Sequence, residues 1–121
     1  MKIRDFQDLD VWQKAMDLMS EVYRLAKKLP EEERYELSSQ MRRAAISVPS
    51  NIAEGQQRAS TKEFVNFLSI ARGSNGELQT QLLACVRLQY MSDADICKAM
   101  VLSYDVGRML NSLISTLKAK T

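Results

Sequence analysis

The 121 residues contain no histidine. Its absence removes the commonest general base, metal ligand and near-neutral pH switch together. Glycine and proline are scarce, at four and two, and strand-type alternation is nowhere sustained; an all-helical fold remains. No apolar run approaches the roughly 18 residues that a membrane span requires, so no membrane segment is expected. The two cysteines, Cys85 and Cys97, fall at helical positions either side of a turn at Met91–Asp93. Without a signal peptide they read as a pair of reduced core thiols in a cytoplasmic protein, with a disulfide across that turn as the alternative.

Chemistry is as sparse as histidine. There is no Gly-rich phosphate loop and no metal-ligand pair at a recognised spacing. A di-iron bundle needs Glu-x-x-His pairs, which this chain cannot supply. We assign no catalytic residue, no metal ligand and no cofactor, and expect no enzyme.

What is present is enough for one domain over residues 1–121, with apolar content of 45% and charge of 26% suited to a globular core. The net charge of +2 is too small to imply nucleic-acid binding by itself. Its distribution is uneven: residues 1–40 hold seven basic and nine acidic side chains, residues 41–121 ten and six. The later helices should therefore carry a mildly basic face.

Period and punctuation predict four helices. The first follows Asp8 or Asp10 as cap, buries Val11, Ala15, Leu18, Val22, Leu25 and Leu29, and is ended by Pro30. The acidic run Glu31–Glu33 suits the first turn of the second, where carboxylates meet the positive end of the dipole. Pro49 should kink that helix without stopping it, because its stripes keep phase from Val48 to Ile52. A capping box at Ser60 and Glu63 opens the third. Its apolar stripe runs in phase through Gly73-Ser74-Asn75-Gly76, with Asn75 on the buried side. One helix of about 30 residues is expected there, its glycines admitting a neighbouring backbone. Ser92 caps the fourth, whose seam runs through Ile96, Met100, Ser103, Gly107, Leu110, Ile114 and Leu117. Short connections between four such helices predict an antiparallel up-down-up-down bundle.

The second helix carries two faces. Leu37, Met41, Ala44, Ala45, Val48 and Ile52 form one apolar side. Gln40, Arg43, Ser47, Asn51, Glu54 and Arg58 line up as a polar stripe on another. A solvated face would be filled with lysine and glutamate; small hydrogen-bonding residues between arginines suit a surface that touches something. Arg43, Arg58 and Arg72 are the candidates for phosphate contact, and Gln40, Asn51, Glu54, Asn75 and Glu77 for a supporting polar network. For Asn51, Glu54 and Asn75 a purely structural network explains the same residues. Arg42 and Ile46 form a second strip that a monomer's core does not use, and with Ile70 and Leu88 they are candidates for subunit contact. No aromatic residues interleave with the arginines to stack bases.

The segments FQDLDVWQKA (6–15), LP with its acidic run and YEL (29–37), QMRRAAISVPSNIAEG with Arg58 (40–58) and EFVNFLSIARGSNGELQTQL (63–82) resemble a bacterial four-helix-bundle family. That family is named for proteins encoded in intervening sequences of 23S ribosomal RNA genes, and the likeness covers nearly the whole chain. It implies an antiparallel four-helix bundle assembling as a five-fold ring, a homopentamer. A relative similar in structure is the accessory protein of diversity-generating retroelements, a basic pentamer that binds a reverse transcriptase and nucleic acid. Two functions follow as expectations. One is a non-enzymatic oligomeric bundle that binds RNA or a ribonucleoprotein through a repeated polar-basic face. The alternative is a scaffold that recruits a partner protein, such as a polymerase or nuclease, with no direct nucleic-acid contact.

Overall fold

The computed structural model describes residues 5–120. Four helices, α1 (Asp10–Ala26), α2 (Leu37–Gln56), α3 (Thr61–Arg87) and α4 (Asp93–Ala119), are preceded by short 3-10 turns at Phe6–Asp8 and Glu31–Glu33. Each helix packs on its sequence neighbours, and α4 closes back on α1. The contacts set the directions. Ser47 meets Ser74 while Met41 meets Cys85, so α2 and α3 run antiparallel. Asn75 meets Ser103 and Arg72 meets Asn111, which orients α4 against α3 in the same way. The expected antiparallel up-down-up-down bundle is what the chain forms, and its two long helices of 27 residues are each about 40 Å in length.

One core runs along the bundle axis. Leu18, Leu25, Met41, Ile52, Leu68, Leu78, Leu82 and Leu110 are fully buried in it. Each such side chain contributes about 1.5–3 kcal/mol relative to an exposed one. Cys85 lies in this core and Cys97 is exposed; both are free thiols. No described helix is long and apolar enough to cross a membrane.

Most helix boundaries fall where the punctuation put them, and three details differ. Neither Asp8 nor Asp10 caps α1. Buried Leu9 occupies the cap position without a side-chain bond, while Asp5 caps the 3-10 turn before it. Phe6 against Trp12, edge to face at 5.2 Å, fixes the chain's entry in place of a polar cap. Glu31–Glu33 form their own 3-10 turn, and α2 begins only at Leu37. Glu33 explains the delay: it accepts from Tyr90 Oη at 2.8 Å and from the Leu37 amide at 3.4 Å, reaching the helix start from outside.

The third concerns glycine. α3 is continuous across residues 73–76, but a Cβ at Gly73 or Gly76 would meet nothing within 4 Å. The close approach is at Gly55 instead, where an added Cβ would lie 2.7 Å from Phe67 Cβ and 3.2 Å from the Phe64 carbonyl oxygen. Elsewhere the caps are as read: Ser60 Oγ accepts from the Glu63 amide, and Ser92 with Asp95 completes a reciprocal capping box. Pro49 lies inside an unbroken α2.

Candidate functional site

The polar stripe of α2 faces α3. Where the two helices pass, Ser47 Oγ and Ser74 Oγ are 2.8 Å apart, and Asn51 Nδ2 donates to the Ser47 carbonyl and hydroxyl oxygens at 2.8 and 2.9 Å. One turn back along α2 the seam widens into a groove of about 470 Å3, lined by Gln40, Arg43, Ser47, Ser74, Glu77 and Gln81. Arg43 and Glu77 are exposed there. Neither makes an ion pair or hydrogen bond with any described residue, including each other.

The other two arginines lie elsewhere. Arg58, two residues beyond the end of α2, places Nε 3.3 Å from Glu54 Oε2 and its guanidinium carbon 4.8 Å from the centre of the Phe67 ring. Arg72 crosses to α4, where Nη1 donates to Asn111 Oδ1 at 3.0 Å. The three candidate phosphate ligands therefore do not converge on one spot, and two of them already have partners. Of the supporting set, Gln40 and Glu77 join Arg43 in the groove, Asn51 bonds to its own helix, and Glu54 holds Arg58.

Asn75 faces α4. At 2% exposure it donates to the Ser103 carbonyl at 2.9 Å and accepts from Ser103 Oγ at 2.7 Å; Gln79 Nε2 donates to that same hydroxyl oxygen at 2.9 Å. Gly107 leaves the room this network needs, since a Cβ there would stand 3.4 Å from Asn75 Nδ2. A buried amide bonded through both its nitrogen and its oxygen stabilises the α3–α4 contact.

The proposed subunit-contact residues Ile46, Ile70 and Leu88 are exposed, as is Leu83, while Arg42 is half-buried. Arg42 lines a shallow depression between the end of α1 and the start of α2, beside Leu29, Glu31 and Ser38.

Two residues escape a reading of the sequence. Gln81, on the groove wall, is only 7% exposed and its Oε1 has no hydrogen-bond partner. Glu21, on α1, is buried and bonded by both oxygens to Arg24, at 2.9 and 2.7 Å. That bidentate hydrogen bond holds the Glu21 carboxyl below its ordinary range, against the opposing effect of burial. Its signal was available, since residue 21 lies between Leu18 and Leu25 on the apolar side of α1. Among the described residues no group of three or more Cys, Asp or Glu side chains could hold a metal ion.

Residues 7–112 match the family described as 23S rRNA-intervening sequence protein. The chain belongs to that family. Its fold agrees with a solved member of the S23 ribosomal protein family, a protein of unknown function from Bacteroides thetaiotaomicron. The two share 27% sequence identity and a TM-score of 0.80 over 86% of this chain and 97% of that one. Among curated proteins none matches. The match to that solved structure accounts for the four-helix architecture. The family's label names a gene location and assigns no reaction.

Proposed function

We propose that the chain is a non-enzymatic, self-associating helical scaffold whose outer α2–α3 face docks protein. The observation that carries this is the composition of that face. Exposed Ile46 on α2, Ile70 on α3 and Leu88 at the end of α3 share a helix pair with unpaired charges of both signs, Arg43 and Glu77, and the core of that pair is already filled. Apolar side chains interspersed with arginine are the make-up of a protein interface. A phosphate-tracking surface would instead gather cations and stacking rings. A closed ring of five chains is the assembly that the family resemblance implies, with Arg42, Ile46, Ile70 and Leu88 at the contacts between subunits.

Direct RNA binding is the second reading. It is favoured by Arg42, Arg43, Lys62 and Arg87, cations of α2 and α3 with no described partner. Repeated around a ring axis, they would sum to an appreciable field. Titration of the purified chain with a labelled structured RNA at low and moderate salt separates the two. Protein docking predicts weak binding with a shallow salt dependence. Tight binding that falls steeply with salt, at a slope near the number of phosphates neutralised, would overturn it in favour of RNA.

A further inference from the structure

The depression between the end of α1 and the start of α2 is lined by three cations, Lys27, Arg34 and Arg42, and one carboxylate, Glu31. Lys27 and Arg42 make no ion pair or hydrogen bond with any described residue. Arg34 comes no closer to Glu31 than 3.9 Å, with both side chains well exposed, a contact of little strength. Arg42 is half-buried, and a guanidinium partly withdrawn from water is costly without an anion beside it. It stands on the α1 side of α2, whereas its neighbour Arg43 lines the groove toward α3.

Ser38 lies among these cations, one turn before Arg42. It is 5% exposed, and its hydroxyl has no hydrogen bond to any described residue. A helical serine or threonine commonly returns its hydroxyl to the carbonyl four residues back, as Thr80 does to Gly76 at 3.4 Å. Ser38 does not. Among the described residues Gln81 Oε1 is the only fully enclosed side-chain polar atom without a partner. Ser38 Oγ therefore keeps some surface, and the depression is where Ser38 is open. Its place in the first turn of α2 adds the positive end of the helix dipole.

Three cations against one carboxylate leave a formal charge of +2. The space, about 200 Å3, is below the roughly 300–1,000 Å3 of sites for drug-sized molecules, so it suits one small anionic group. No aromatic ring lines it for a base to stack on. A phosphate monoester carries a charge of about −1.5 to −2 at neutral pH and three strong acceptor oxygens.

We propose that this depression binds the phosphoryl group of a small phosphate monoester. The Arg42 fork donates to two of its oxygens and the Ser38 hydroxyl to the third, while Lys27 and Arg34 supply the remaining positive charge. The site lies off the outer α2–α3 face. Arg42 is the one residue it shares with the proposed subunit contacts, and Ser38 separates the two readings.

Calorimetric titration of the full chain with methyl phosphate, at an ionic strength fixed by chloride, tests this. Saturable binding of one ligand per chain is expected, weakened about tenfold or more in Ser38→Ala and in Arg42→Gln, each of which removes a charge-assisted hydrogen bond. Circular dichroism identifies which variants are folded, and light scattering of Ser38→Ala should match the parent. Lys98→Gln, which removes an exposed cation of α4, should bind like the parent. Dimethyl phosphate, a diester with the single charge of an RNA backbone phosphate, should not saturate. The proposal is overturned if methyl phosphate does not saturate, if either folded variant binds it as well as the parent, or if Lys98→Gln weakens it equally. Equal binding of the diester would also overturn it, and would assign these cations to an RNA backbone instead.

Discussion

Two glycines show at the residue scale how one residue type serves opposite ends. Gly55 is buried where α2 meets α3, and a methyl there would press on Phe67 Cβ and the Phe64 backbone. Gly55→Ala should therefore destabilise the chain by about 1–3 kcal/mol in denaturant melts, the usual cost of overpacking. Gly73 faces open space on a helix exterior. There the same substitution should stabilise by up to about 1 kcal/mol, because alanine is the better helix former. Unchanged stability at Gly55 would contradict the packing described. Glu21 gives a pH signature. Its carboxyl is held low in the folded chain by Arg24, so its contribution is complete above the unfolded carboxylate pKa and fades as pH falls through the folded value. Stability measured from neutral pH downward should thus decline below about pH 4, and Glu21→Gln should flatten that decline. An unaltered acid limb in the variant would show that Glu21 is not its source.

Individual helices reveal which parts of the architecture a sequence carries. Phase decided correctly over local propensity at Gly73-Ser74-Asn75-Gly76 and at Pro49, because a helix packed along its whole length keeps its buried side aligned regardless of weak formers. The prediction is direct: backbone amides of residues 73–80 should be protected in hydrogen exchange like those of the rest of α3. Immediate exchange there would mean a loop. Caps were less legible. Glu33 was drawn away from its expected turn by Tyr90, 57 positions along the chain, and Leu9 replaced an aspartate because Phe6 and Trp12 pack over the helix start. Such choices depend on tertiary neighbours that no local pattern contains. The groove was half visible for a similar reason. Gln40, Arg43 and Glu77 stand out by spacing on exposed faces. Gln81 turns inward because the buried side of α3 drifts around the helix, from Leu68, Ala71 and Asn75 to Leu78, Gln81, Leu82 and Cys85. A straight helix of 3.6 residues per turn shifts its contact line in this way over several turns.

For the whole molecule, assembly is the property on which the proposed function turns. The bundle fills its core with one side of each helix, yet α2 and α3 keep apolar side chains at Ile46, Ile70, Leu83 and Leu88 on the outside. Their removal should leave the fold intact and the surface inert. Light scattering of the purified chain, beside an Ile46→Asp, Ile70→Asp double variant of unchanged helicity, measures this directly. The account predicts a parent mass that is a multiple of 13.8 kDa and a variant mass of one chain. A parent that scatters as a single 13.8 kDa chain at every concentration would contradict it.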